Sequence, residues 1–133
     1  MATVLAEFKS GKLDDTTFGT YAEQFVKQLE KDRRGEKFAL TTTKLRGIYG
    51  LIMNLYTRIN DPADFDKYRA DIQYLKVKMA YEAGREATVK DFLQKTALMV
   101  LVDRIKTYEQ FQLYCRYAES LVAYFKYYGG KDK

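Results

Sequence analysis

Histidine is absent from this chain of 133 residues, and cysteine and proline each occur once, as Cys115 and Pro62. Without histidine the chain has no side chain that titrates near neutral pH unaided, and it lacks the commonest metal ligand. A single cysteine excludes an internal disulfide and any cysteine cluster for zinc. One proline and eight glycines leave too little turn punctuation for a β-sandwich of this length, so a helical fold is expected. Long apolar runs are missing too: the longest, Ala97–Val102, falls far short of a bilayer span. Met1–Ser10 carries no basic flank followed by an apolar run of signal-peptide length. The expectation is a soluble, cytoplasmic protein with no membrane partner. No phosphate-binding glycine loop of the Walker or dinucleotide type occurs either.

What is present is enough to fold. Apolar residues make up 47% of the chain, which excludes a compositionally disordered polymer. The formal charge of +5, from 23 basic and 18 acidic residues, suits a partner with a phosphate backbone and equally suits an ordinary basic domain. The length supports one core, and no repeat, low-complexity tract or linker divides the chain. The expected fold is all-α, a compact single-domain bundle of about five helices over residues 1–133, with 1–15 and 131–133 loose.

Start and stop signals place the five helices. Thr20-Tyr-Ala-Glu23 reads as a capping box opening the first, which runs to about Arg34 and stops before Gly35. The second follows Thr41-Thr42-Thr43 and continues to Asn60. Asp61-Pro62, an N-cap and a first-turn proline, opens the third, which reaches about Ala83 with Gly84 as its end. Thr88-Val-Lys-Asp91 opens the fourth. Thr107-Tyr-Glu-Gln110 opens the fifth, which ends at Gly129-Gly130. Leu45, Ile48, Ile52, Leu55 and Ile59 form a narrow seam on the second helix, and Phe65, Tyr68, Ile72, Leu75 and Met79 form one on the third. Two such seams in succession pack against each other. The fourth helix is apolar nearly all round at Ala97–Val102 and is expected to be the buried central element.

The opposite faces carry a different pattern. Tyr74, Lys78, Tyr81 and Arg85 fall at steps of 4, 3 and 4, a single stripe of alternating rings and cations. Arg69 and Lys76 lie on an adjacent stripe. On the second helix Arg46, Tyr49, Met53 and Tyr56 share a face flanked by Lys44 and Arg58, with no acid before Asp61. Cations beside exposed rings suit single-stranded nucleic acid, because the cations track phosphates and the rings stack on any base. A solvated basic face whose tyrosines only bury their ring bodies reads the same way. Thr41-Thr42-Thr43 at a helix N-terminus could receive a phosphate or simply cap the helix through Thr43.

Other constellations carry less. The tyrosines of the fifth helix (108, 114, 117, 124, 127 and 128) read better as core and subunit interface than as a stacking platform. Cys115 sits on an apolar face with no histidine to activate it. Asp14-Asp15 and Asp64 with Asp66 do not assemble into a magnesium site. No cofactor is expected.

Three stretches resemble a known family: Thr42-Thr-Lys-Leu-Arg-Gly-Ile-Tyr49, Lys76-Val-Lys-Met-Ala-Tyr-Glu-Ala-Gly-Arg85 and Leu121-Val-Ala-Tyr-Phe-Lys-Tyr-Tyr-Gly-Gly130. Together they are similar to the small subunit of the Csm effector complex, the type III-A CRISPR interference machine. The likeness spans residues 38–133. It implies a five-helix, non-catalytic protein whose copies stack in a filament beside larger subunits carrying the guide RNA. The implied partners are single-stranded target RNA and the guide RNA duplex, the other Csm subunits, and further copies of itself. RNA cleavage in the family belongs to the backbone subunits, and DNase and cyclic-oligoadenylate synthesis to the large subunit. The guide reads sequence, so the small subunit is expected to bind backbone and shape. By that resemblance Arg46 and Arg85 match motif arginines, Lys78 and Tyr81 follow by position, and Lys44 departs from a neutral polar residue. Arg58, Arg69 and Lys76 rest on the face argument alone. Two other functions remain open at this point: a helical interaction adaptor with a basic face and no RNA role, and a metal-dependent nuclease, for which no carboxylate cluster can be assembled.

Overall fold

The computed structural model describes residues 17–29, 31 and 38–129. Among the described residues six α-helices follow one another: α1 (Phe18–Val26), α2 (Thr42–Tyr56), α3 (Pro62–Lys67), α4 (Arg69–Arg85), α5 (Ala87–Thr96) and α6 (Tyr108–Tyr127). A 3-10 turn, Val100–Arg104, sits between α5 and α6. An isolated antiparallel bridge joins Lys31 to Phe38. The all-α, bundle-like architecture expected from composition is therefore present. The terminal stretches expected to be loose lie outside the described residues.

Local chemistry sets several boundaries. Asp61 accepts the Asp64 amide at 2.8 Å and Pro62 occupies the first helical position, as its sequence signature requires. Thr107 caps α6 by accepting from the Gln110 amide at 3.1 Å, and the Gln110 side chain accepts from Lys106 N at 2.7 Å. After α6, Gly129 adopts φ +97°, the left-handed geometry that glycine takes without a Cβ clash.

Four expectations need correction. The first helix starts at Phe18, so Thr20–Glu23 lies inside it and caps nothing; its helical stretch ends at Val26, well before Arg34. The second ends at Tyr56 rather than Asn60. The third is two helices: Tyr68 leaves helical geometry at φ −102°, ψ 19°, and the chain restarts at Arg69 and runs past Ala83 to Arg85. The fourth helix opens at Ala87, before Thr88, and stops at Thr96, because Ala97 turns left-handed at φ 61°. The apolar run 97–102 is thus a corner that buries Ala97, Leu98, Leu101 and Val102 and exposes Val100, and not the central helix.

That centre is α6. It buries Phe111, Tyr114, Cys115, Tyr117, Ala118, Leu121 and Phe125 and packs against α1 and α2, while α4 packs against α2, α5 and the 3-10 turn. Where α5 breaks, carbonyls lose their helical partners, and α6 supplies replacements. Tyr117 Oη donates to Thr96 O and Tyr114 Oη to Leu98 O, each at 2.7 Å. A buried carbonyl left without a donor would cost about 1–3 kcal/mol, so these two tyrosines define the corner. Placing them in the core was the sequence expectation; Tyr127, in contrast, stands 76% exposed.

Burial also silences the lone thiol. It pushes Cys115 up from 9.0 to about 12 and raises Tyr114 and Tyr117 above their ordinary value. The folded state prefers these groups neutral, so their contribution is complete below the unfolded pKa values and disappears as pH rises through the folded ones. Stability to urea is expected to hold near pH 8 and to fall progressively between about pH 9 and 12. Alkylation of Cys115 at pH 8 should be slow in the native chain and fast in urea; equal rates would contradict the burial.

Candidate nucleic-acid interface

The seams of α2 and α4 do pack together, with Ile48, Ile52 and Leu55 on one side and Ile72, Leu75 and Met79 on the other, all in one core cluster. Antiparallel packing leaves a cleft above the seam. One part, about 250 Å³, lies between Gly50, Leu51, Asn54 and Arg58 and the α4 residues Asp71, Tyr74 and Lys78. The other, about 290 Å³, lies between Thr43, Lys44 and Gly47 and the pair Glu82 and Arg85, closed by Glu86 and Val89. Leu51 borders both parts. Gly47 and Gly50 border the cleft on the α2 side, where a Cβ at either would meet nothing within 4 Å.

The stripe read from the sequence is exposed along the α4 wall. Tyr74 is 55% and Tyr81 63% exposed, although large apolar rings normally seek cover. Each carries a cation over its face: Lys78 Nζ lies 5.3 Å from the Tyr74 centroid and the Arg85 guanidinium 5.5 Å from that of Tyr81. These contacts hold the cations beside the rings without burying either. Arg58 closes the far end, donating to Asn54 O at 3.2 Å and to the Asn54 side chain, and lying 5.5 Å from the Tyr68 ring.

The eight residues singled out from sequence therefore divide. Lys44, Arg58, Lys78 and Arg85 line the cleft, while Tyr81 lines neither part of it and stands exposed under the Arg85 guanidinium. Arg46 is exposed on the other flank of α2, one turn before Tyr49, which with Met53 and Tyr56 borders a shallow depression facing α6. Arg69 lines a separate hollow with Val102 and Asp103, where it pairs with Asp66 at 3.8 Å. Lys76 is ion-paired with Asp103 of the 3-10 turn. One helix cannot present residues 69 and 76 on the flank that 74, 78 and 85 occupy.

Sequence reasoning missed the carboxylates. Lys44 Nζ meets Glu86 Oε2 at 2.8 Å, and this ammonium holds the Glu86 carboxyl below the ordinary carboxylate range. Arg85 sits 3.6 Å from Glu82. Four cations face three carboxylates in the cleft, counting Asp71, so its field is only weakly positive. The Arg85–Glu82 spacing was legible, being i and i+3 on a helix. The Lys44–Glu86 pair joins positions 42 apart and left no local signal. Nor do the threonines act together: Thr41, not Thr43, caps α2 by accepting from Lys44 N at 3.3 Å, Thr42 is buried, and only Thr43 reaches the cleft.

Across α4 from the cleft lies a wider apolar groove of about 840 Å³, between Ala80, Ala83 and Gly84 of α4, Leu93 of α5, and Met99 and Val100. Arg85 borders this groove as well. Among the described residues no group of three or more His, Cys, Asp or Glu side chains could hold a metal ion, and no helix is long and apolar enough to cross a membrane. Asp64, imagined earlier with Asp66, is spent accepting from Asn60 N at 3.1 Å.

Residues 13–131 match the family model described as Csm2 Type III-A. The chain belongs to the Csm2 family. A "CRISPR system Cms protein Csm2" of Streptococcus thermophilus is 42% identical over 90% of this chain and 98% of that protein. Proteins of the same description from Enterococcus italicus and Mycobacterium tuberculosis are 39% and 34% identical, over 93% and 83% of this chain and 96% and 90% of their own lengths. As a Csm2 family member the chain is a small subunit of a type III-A CRISPR complex and not an enzyme, and the other Csm subunits are its partners.

Proposed function

We propose that the α2/α4 cleft and its tyrosine-bearing wall grip the sugar–phosphate backbone of single-stranded target RNA, and of the duplex it forms with the guide, without reading sequence. Copies of this single-domain chain stack along the RNA within the cytoplasmic complex, in antiviral defence. One observation carries the reading: Tyr74, Lys78, Tyr81 and Arg85 stand exposed in one stripe, each cation over a neighbouring ring. Base stacking and phosphate contact need that pairing of groups, and neither depends on base identity. Arg46 adds a cation with no ion pair among the described residues, on the neighbouring flank. Lys44, Arg58, Arg69 and Lys76 contribute less, each already engaged by a side chain of its own subunit.

A near-balanced cleft makes one copy a weak binder, and stacking adds the contacts of successive copies on one strand. The apolar groove on the far flank of α4 offers surface for such a neighbour. The test is a titration of single-stranded RNA of several sequences against the full chain at increasing salt. Binding should be indifferent to sequence and should fall on a log–log plot with a slope of about −0.7 for each phosphate contacted. Affinity independent of salt would overturn the reading and favour the protein adaptor instead.

A further inference from the structure

We propose that Glu86 and Glu82 set the affinity of this site by occupying the cations a phosphate would use, so that RNA enters one end of the cleft only by exchanging with a carboxylate. The proposal rests on the RNA-binding reading above and adds a brake to it.

The two ends of the cleft are built differently. At the end formed by the start of α2 and the close of α4, both cations are engaged: Lys44 by Glu86 at 2.8 Å and Arg85 by Glu82 at 3.6 Å. All four side chains border the same hollow. Lys44 and Glu86 are each 39% exposed, so an incoming strand can reach them. Toward the other end Lys78 has no ion pair among the described residues and rests only against Tyr74. A strand laid along the cleft therefore finds one open cation, Lys78, between Arg58, held by Asn54, and the guarded pair Lys44 and Arg85.

Glu86 is free to act this way because the fold asks little else of its side chain. It occupies the N-cap of α5 yet makes no capping hydrogen bond there. Its carboxylate is turned instead across the cleft to Lys44 of α2. A phosphate approaching Lys44 must outcompete an anion already bound and tolerate its charge nearby, which costs affinity at every copy. Like-charge rejection also screens out partners that offer a single isolated anion, because only several contacts on one strand repay the exchange.

The experiment compares wild-type chain with Glu86→Gln, Glu82→Gln, Lys44→Ala and the double variant K44A/E86Q, using a fluorescently labelled single-stranded RNA across a salt series. Glutamine keeps the shape of glutamate and one acceptor oxygen but removes its charge. E86Q is expected to bind roughly threefold to tenfold more tightly and to steepen the salt slope by about 0.7, the signature of one added phosphate contact on a single strand. E82Q should move in the same direction through Arg85. K44A alone should bind more weakly than wild type, since it removes a cation the strand exchanges onto and leaves the Glu86 carboxylate unpaired in the cleft, and K44A/E86Q should lose most of the E86Q gain. If E86Q and E82Q bind as wild type while wild type itself shows salt-dependent binding, the brake is refuted and the RNA-binding reading stands. A gain that survives intact in K44A/E86Q is a generic charge effect and refutes it too. If neither wild type nor E86Q binds RNA at any salt, the RNA-binding reading falls and the brake falls with it.

Discussion

Lys78→Ala combined with Arg85→Ala is expected to weaken binding of single-stranded RNA by roughly tenfold to a hundredfold at moderate salt, and to flatten the salt slope by about 1.4, two contacts at 0.7 each. Both side chains are exposed at the cleft, on one stripe of α4. Neither fills the core, and the one carboxylate involved, Glu82, sits on the same helix as Arg85. Surface changes of this kind shift stability by about 0.5 kcal/mol or less, so helicity and melting temperature should stay close to wild type. Loss of the cations also frees Tyr74 and Tyr81 from their partners without removing them. The residual affinity then measures stacking, which a further Tyr81→Ala change should reduce again. Undiminished binding by a folded double variant would remove the α4 wall from the mechanism. The readout is fluorescence anisotropy beside circular dichroism on the same samples.

The second large effect concerns the fold. Phe125→Ala is expected to cost about 3–5 kcal/mol, equivalent to roughly 10–20 °C in melting temperature for a chain of this size. Phe125 is fully buried, and its ring stacks on that of Phe38 with centroids 4.9 Å apart and planes 22° apart. The Lys31 ammonium also lies over the Phe38 ring, 3.9 Å from the centroid. Truncation opens a cavity beneath the segment that leads into α2, and the aromatic pair cannot collapse to fill it. Against a total stability of about 5–15 kcal/mol, a thermal or urea melt would show the loss clearly. A shift of less than about 1 kcal/mol would mean that Phe125 is far less enclosed than the packing of α6 indicates.

Much of this architecture could be read before any coordinates, and the reasons differ by element. The α3 start was legible because Asp61-Pro62 acts through bonds within four residues. The α2 seam was legible because burial of one face imposes its 3–4 rhythm. Tyr68 hid the break between α3 and α4, because the seam from Phe65 through Tyr68 to Met79 keeps the same rhythm across it. At Ala97 the residues are apolar on every side, so periodicity cannot tell a buried helix from a buried corner; the deciding bonds come from Tyr114 and Tyr117 in another helix. In the cleft, the α4 stripe followed from spacing alone. Which cations stay open did not, since Glu86 reaches Lys44 and Asp103 reaches Lys76 only after folding.

Arg85 borders two hollows, the cleft on one flank of α4 and the apolar groove on the other. A guanidinium can lean only one way at a time. A neighbour seated in the groove that crowded this side chain would alter what the cleft can hold, and a strand that fixed it in the cleft would bias the groove in return. Sharing one arginine in that way would link the two surfaces with no shift of any helix.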